Sequence, residues 1–131
     1  MRFHHVLLTF ALGLTSSAYA GAEHQHGDDH AHQAQHGGIV SEADHMDFEF
    51  VARDDAVTLY VRDHGAPAKV DGATARVTVL SGKVKTTMNL KASGLGQLSA
   101  SGRIASAPGS KILALVSLPG KQPIQVRFAI K

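Results

Sequence analysis

The sequence predicts an all-β protein: an antiparallel immunoglobulin-like β-sandwich of about seven strands that follows a disordered His-rich leader. Three observations predict it. Apolar and polar residues alternate in short segments from Ile39 onward, and no stretch of any length has helical periodicity. Turn signals rich in Gly, Pro, Asp and Ser separate these segments at spacings of about 8–12 residues. A small β-barrel is the alternative architecture.

The strands are assigned from this alternation. In the first, Met46, Phe48 and Phe50 are predicted to point inward, and residues 56–63 form the second strand of a hairpin around the turn at 53–55. The remaining alternating segments cover residues 73–79, 84–91, 98–104, 112–118 and 124–131. The segment 112–118 is apolar on both faces, which is typical of a central strand. The β-domain is therefore predicted to cover residues 39–131.

The N-terminal residues have the pattern of an export signal. A weakly cationic start is followed by an apolar run, Val6 to Leu14, and by the small-x-small pattern of Ala18 and Ala20. The run is too short for a transmembrane span, which needs about 20 apolar residues. We therefore expect a signal peptide at residues 1–20, a periplasmic location and no stable membrane anchor. The chain has no cysteine, so neither disulfides nor a lipid-modified cysteine can form.

The net charge of +2 conceals a strong asymmetry along the chain. All 11 acidic residues lie at or before Asp71, whereas residues 72–131 contain nine basic residues and no acidic one. A cationic domain can bind nucleic acid, but the export signal and the lack of interleaved aromatic residues argue against it. The favoured interpretation is that these cations are solvated faces of strands that protect sheet edges.

Histidines and carboxylates are concentrated between residues 21 and 49, where six of the nine histidines lie. Imidazole and carboxylate without thiol form the ligand set of a divalent transition metal such as Zn, Cu, Co or Ni. Residues 21–38 lack large apolar side chains, so we expect a flexible segment without metal. Its candidate ligands are His24, His26, His30, His32 and His36. The alternative is a polar, solubilising leader.

A second candidate site combines this leader with the first hairpin. If Met46, Phe48 and Phe50 point inward, polar residues at alternate positions share the outer face. Antiparallel pairing about the turn at 53–55 then brings position 64 back near position 45, beside the glycine pair at 37–38. The candidate ligands of this semi-rigid site are His36, His45 and His64, with Asp47 and Glu49 nearby. The alternative is that these are ordinary exposed strand and turn residues.

Other chemistry is not expected. Met46 and Met88 fall on the inward face, where core packing is favoured over thioether ligation, so Cu(I) is disfavoured relative to a divalent ion. No thiol nucleophile, G-x-S-x-G elbow, H-E-x-x-H motif or phosphate-binding glycine loop is present. The chain is therefore not expected to be an enzyme.

Three motifs carry a family resemblance: His36-Gly37-Gly38, then residues 45–49 (HMDFE), then residues 60–65 (YVRDHG). With the His-rich leader, they resemble small uncharacterised exported proteins of Gram-negative bacteria. More weakly, residues 36–130 are similar to the N-terminal part of periplasmic adaptor subunits in heavy-metal efflux systems of the resistance-nodulation-division type. The resemblance implies handling of zinc, cobalt, cadmium or copper near an efflux component. Because residues 1–131 depart from the adaptor pattern, we expect no hairpin, lipoyl-like or barrel domain of the adaptor kind.

Two functions follow as expectations. The first is a periplasmic carrier or buffer of a divalent transition metal, associated with heavy-metal efflux or resistance. The second is a β-sandwich protein-interaction module that binds a partner through its basic face, with incidental histidines. The first requires a divalent ion to bind, and the second requires salt-sensitive binding of a partner that persists in chelator.

Overall fold

The computed structural model describes residues 32–131, all of which form strands, turns or irregular segments. The predicted signal peptide, the residues 21–31 and the leader histidines His24, His26 and His30 lie outside the described residues. Within the described range, the structure contains no helix long and apolar enough to cross a membrane.

Nine strands are present in the described part of the chain. They are β1 (Ile39–Ala43), β2 (Met46–Arg53), β3 (Ala56–Asp63), β4 (Ala66–Pro67), β5 (Thr74–Ser81), β6 (Val84–Gly94), β7 (Gln97–Ser101), β8 (Lys111–Ser117) and β9 (Ile124–Ala129). All pairings are antiparallel, in the order β1-β2-β3-β7-β6-β5-β8-β9, and the short β4 pairs with β3. Because β1 also lies next to β9, this single sheet is nearly closed into a barrel.

The all-β, antiparallel prediction is confirmed, whereas the two-layer immunoglobulin-like sandwich is not. Two pairings between strands distant in sequence, β3 with β7 and β5 with β8, join all the strands into one continuous sheet. The structure also contains two strands beyond the seven predicted. These are β1, which has few large apolar residues, and β4, which has only two residues.

The core lies inside the curved sheet and is formed by the inward-facing residues of alternating strands. Met46, Phe48 and Phe50 are buried there, as the alternation predicts, and Met88 packs partly buried against the same core. The central strand β8 buries only its inner face. Its outward Leu115 is exposed and Leu113 is half-buried, although both faces were predicted to be covered.

Two candidate histidines lie in turns. Asp44 and His45 form a two-residue turn between β1 and β2 with φ of 50° and 60°, which is the left-handed geometry that favours Asp, Asn and Gly in tight hairpins. His45 was predicted on a strand; it lies instead in the turn that precedes β2. His64 follows β3, and the Met46–Asp63 pairing brings the two turns to the same end of the sheet, as predicted.

Residues 32–38 form an irregular segment, which we call the strap, that lies across the outer face of β2 and β3. These residues were predicted to belong to a flexible leader, but their backbone makes defined contacts with the sheet. The strap continues into β1, and its Gly37 and Gly38 share a groove with Ser106 and Ile130. The C-terminal end of the chain therefore lies beside the strap.

Candidate metal-binding site

Glu49 of β2 holds the strap on the sheet. Its Oε1 accepts hydrogen bonds from the backbone N–H groups of His36 (2.8 Å) and Gly38 (3.0 Å). Its Oε2 accepts bonds from the backbone N–H of Gln35 and from His36 Nδ1, both at 3.0 Å. Glu49 points outward, as predicted, but it is only 1% exposed because the strap covers it. With both oxygens occupied, Glu49 anchors the strap and is a poor candidate for a metal ligand.

The two glycines of the strap permit this close approach. Gly37 has a φ of +74°, a left-handed conformation that side chains disfavour. A Cβ atom on Gly38 would lie 2.3 Å from the carbonyl oxygen of Phe50 and 2.7 Å from Val51 Cγ2. Glycine is therefore required where the strap passes over β2, so that its N–H groups can reach Glu49.

Two arginines bind the carbonyl groups of the strap. Arg53 Nη2 donates to the His36 carbonyl at 2.6 Å, and Arg62 Nη2 donates to the Gln33 carbonyl at 2.8 Å. Arg62 is buried, and its Nη1 lies 3.9 Å from Glu49 Oε2. In the part of the chain described here, the Nε and Nη1 atoms of Arg62 have no hydrogen-bond partner, so its interaction with Glu49 is mainly electrostatic.

The hydrogen bonds around Glu49 determine its ionisation. Burial alone would raise the pKa of Glu49, because it disfavours the charged form. The hydrogen bonds from Gly38 N–H, the His36 ring and the backbone N–H groups of Gln35 and His36 act in the opposite direction and hold the pKa below its ordinary value. Glu49 is therefore a carboxylate under the strap at neutral pH.

A cluster of three potential metal ligands lies at the start of the strap. Glu42 of β1 is paired directly with Asp47 of β2, so both side chains project from the outer face. His32 Nδ1 lies 2.7 Å from Asp47 Oδ1 and 3.7 Å from Glu42 Oε2. Donor atoms of all three residues lie within 4.8 Å of one another, and within residues 32–131 no other such group of three occurs.

The chemistry of the cluster fits a divalent transition metal. One imidazole nitrogen and two carboxylate oxygens are ligands that Zn²⁺, Co²⁺ and Ni²⁺ accept, and three protein ligands leave a position open for water or a further donor. Asp47 is buried, whereas His32 and Glu42 are about half exposed, so an ion could enter from solvent. The three carboxylates Glu42, Asp47 and Glu49 outnumber the two guanidinium groups that bind the strap, and the excess of negative charge favours a cation.

His36 is oriented by two neighbours. Its Nδ1–H donates to Glu49, and its ring stacks on Tyr60 with centroids 3.5 Å apart and planes 1° apart. A hydrogen bond from one ring nitrogen to a carboxylate is the usual support of a metal-binding histidine, because it leaves the other nitrogen free of its proton. His36 nevertheless lies outside the three-donor cluster.

The predicted combination of His36, His45 and His64 is not brought together. His36 lies beside Glu49, three residues along β2 from the start of that strand, which corresponds to about 10 Å of strand rise. His45 is exposed in its turn, and the equally exposed His64 makes a 2.6 Å hydrogen bond to its neighbour Asp63.

Asp47 and Glu49 occupy the predicted outer face, and the alternative in which Glu49 is an ordinary exposed strand residue is wrong. The strap and β1 bury them. The alternation of residues in β2 does not show that another segment of the chain covers its outer face. The sequence reasoning also missed Glu42 and Arg62. The Asp44-His45 pair between two short apolar stretches was the available signal, because a two-residue turn there pairs Glu42 with Asp47.

Comparisons of the chain with protein-family models, with curated proteins and with solved structures find no match. The resemblance to exported His-rich proteins and to efflux adaptor subunits stays a prediction. The function is therefore inferred from the geometry and the chemistry of the site.

Proposed function

We propose that this protein is a periplasmic carrier or buffer of a divalent transition metal, and that His32, Glu42 and Asp47 form its principal site. The proximity of these three donor groups on the outer face of β1 and β2 is the observation that carries the proposal. The sequence predicts the same ligand chemistry. Of the ligands predicted from the sequence, His32 and Asp47 belong to this cluster, and Glu42 is an additional ligand.

Support for binding at this position comes from the rigidity of the sheet. Asp47 and Glu42 are neighbours in a regular antiparallel ladder, so two of the three ligands are positioned before the ion arrives. His32 belongs to the strap, which is fixed to the sheet through Glu49 and Arg62. A site of this kind requires less ordering on binding than a flexible tail does, which favours affinity.

The His-rich leader contains further potential ligands for this site. His24, His26 and His30 precede His32 by at most eight residues, and an imidazole from this segment would fill the open coordination position. Cellular handling of the ion near a heavy-metal efflux component is part of the same proposal. It is supported by the resemblance and by the predicted export signal.

Titration of the protein without its signal peptide, residues 21–131, tests the proposal. Zn²⁺, Co²⁺, Ni²⁺ and Cu²⁺ are added separately, and stoichiometry and affinity are followed by native mass spectrometry and calorimetry. For a given metal, we expect one ion per chain to bind more tightly than any further ions. Loss of a mere outer-shell partner lowers metal affinity about 10–100-fold, so Asp47→Asn combined with His32→Ala is expected to lower it by at least about 100-fold.

Matched variants separate this site from the two predicted from the sequence. His45→Ala combined with His64→Ala removes two exposed turn imidazoles and is expected to change the affinity by less than about threefold. Deletion of residues 21–31 tests the leader. If the deletion abolishes binding while the His32/Asp47 variant retains it, the leader is the site and the cluster is not. If the His45/His64 variant alone loses binding, the site at the turns is correct.

A further inference from the structure

A second candidate binding site lies on the outer face of β5, β6, β8 and β9, strands that contribute nothing to the metal-binding cluster. The groove there has a volume of about 660 Å³, within the range of about 300–1,000 Å³ that is typical of small-molecule sites. Its lining includes Leu80 and Leu113, together with the cations Lys85, Lys111 and Arg127.

The pairing of the strands places the leucines and the cations of the groove next to each other. Leu80 of β5 is paired with Lys85 of β6 and with Lys111 of β8, and Leu113 of β8 is paired with Arg127 of β9. Leu80 is 45% exposed. Outward positions of a water-facing sheet are ordinarily polar, whereas Leu80, near the end of β5, and Leu113 form an apolar strip bordered by positive charge.

Within the residues that the structure describes, the cations of the groove have no anionic partner. Across residues 32–131, Lys85, Lys111 and Arg127 make no salt bridge or side-chain hydrogen bond. No acidic residue follows Asp71 in the sequence. Solvated strand faces would account for the cations alone, but they do not account for the apolar strip between them.

We infer that this groove binds a long-chain carboxylate, with the head group on Lys111 and Arg127 and the alkyl chain along Leu80 and Leu113. The charge complementarity is direct, because an anionic head and an apolar tail match the two components of the lining. The groove offers few neutral hydrogen-bonding groups, which an unfunctionalised alkyl chain does not need.

Other occupants fit less well. An extended peptide gains affinity by pairing with a free strand edge, but β5 and β8 are hydrogen-bonded to neighbours on both sides. A second copy of the chain that docked face to face on this groove would bring Lys85, Lys111 and Arg127 against cations of its own kind, which is repulsive.

Calorimetric titration of residues 21–131 with dodecanoate below its micellar concentration, in the presence of chelator, tests the inference. We expect saturable binding of one dodecanoate per chain. Acetate, which has the head group alone, and dodecyltrimethylammonium, which has the chain with the opposite charge, are expected not to bind. The chelator makes the result independent of metal binding.

Two double variants that change the net charge equally provide the control. Lys111→Gln with Arg127→Gln is expected to lower the affinity for dodecanoate by about tenfold, since two exposed ion pairs are lost. Lys69→Gln with Lys91→Gln, outside the groove, is expected to change it by less than about twofold. Circular dichroism and thermal unfolding establish that all four substitutions leave the fold intact.

Three results would overturn the inference. The first is binding that does not saturate or that is equal for the cationic amphiphile. The second is equal loss of affinity in the two double variants, which would indicate an effect of net charge alone. The third is co-sedimentation with phosphatidylglycerol vesicles without stoichiometric binding of dodecanoate, which would assign the face to a bilayer.

Discussion

The imidazole ring of His36 lies flat on the phenol ring of Tyr60, with centroids 3.5 Å apart and an angle of 1° between the planes. The same imidazole donates from Nδ1 to the buried carboxylate of Glu49. The stack and the hydrogen bond restrain the ring in different directions, so the centre of the strap is fixed to both β2 and β3.

The stack predicts different outcomes for two substitutions of Tyr60. Tyr60→Phe keeps an aromatic face and is expected to leave the position of His36 unchanged. Tyr60→Leu removes it and is expected to lower the free energy of unfolding by about 0.5–1.5 kcal/mol, the usual contribution of an aromatic pair. The ring-proton shifts of His36 in NMR spectra report the stack directly. Retention of those shifts in Tyr60→Leu would show that His36 does not lie on Tyr60.

Glu49→Gln is expected to be among the most destabilising polar substitutions in this domain. A glutamine has one acceptor oxygen, and its NH₂ group would face N–H donors of the strap that now bond to a carboxylate. Leaving such buried groups unpaired costs about 2–4 kcal/mol. Urea unfolding in the presence of chelator measures the change.

The matched control is Glu42→Gln, because Glu42 is a carboxylate on the neighbouring strand that is about half exposed. Its substitution is expected to change the free energy of unfolding by no more than about 0.5 kcal/mol. Equal effects of the two substitutions would mean that the hydrogen bonds between Glu49 and the strap contribute nothing to stability.

The lowered pKa of Glu49 predicts a specific dependence of stability on pH. The unfolded chain has the ordinary glutamate pKa of about 4.3, so as the pH falls the unfolded state takes up this proton before the native state does. The stabilisation of the native state by ionised Glu49 is therefore complete well above about pH 4.3. It is lost as the pH falls through the lower pKa of native Glu49.

Urea unfolding of the wild type and of Glu49→Gln between about pH 3 and 7 isolates this contribution. We expect the difference in unfolding free energy between the two proteins to shrink at the acidic end of the range. A difference that is constant with pH would indicate that the native pKa of Glu49 is not lowered.

Gly38→Ala is expected to displace the strap. The new methyl group would lie 2.3 Å from the Phe50 carbonyl oxygen, which cannot be accepted without a backbone shift, and 3.0 Å from Glu49 Cγ. Faster amide hydrogen exchange at Gln35 and His36 would report the displacement. Gly94→Ala is the control, because its Cβ meets Gln97 at an ordinary 3.5 Å. Unchanged exchange in Gly38→Ala would contradict the close approach.

Metal binding is expected to stabilise the folded protein. An ion that binds only the native state adds about 2.7 kcal/mol at a free concentration of 100 times its Kd. Thermal unfolding at increasing Zn²⁺ concentration should therefore show a rising Tm. The rise should be absent in Asp47→Asn and should weaken as the pH falls through the usual histidine range near about 6.5, because protonated imidazole cannot bind the ion.

The alternation of side chains was sufficient to predict the first hairpin. Met46, Phe48 and Phe50 face the core, the turn lies at Asp54-Asp55, and position 64 returns to the end of the sheet at which β2 begins. These features depend on contacts between neighbours in sequence. The joining of the strands into one sheet depends on the pairing of β3 with β7 and of β5 with β8, which local patterns do not encode.

The strap could not be predicted from periodicity, because it has none. Its position depends on hydrogen bonds from its backbone to Glu49 and from Arg53 and Arg62 to its carbonyl groups. The sequence did contain a signal in the adjacent Gly37 and Gly38. Two glycines immediately before a strand allow one backbone to approach another closely, and that approach is what buries Glu49.

The groove that Ile130 shares with Gly37 and Gly38 has a practical consequence for any purified form of this protein. A polyhistidine tag appended after Lys131 would begin beside Gly37 and Gly38 of the strap, and its imidazoles would compete with the protein for added metal ions. Apparent stoichiometries measured on such material would count ions held by the tag. Measurements on tag-free protein, or on protein whose tag has been removed by proteolysis, avoid this contamination.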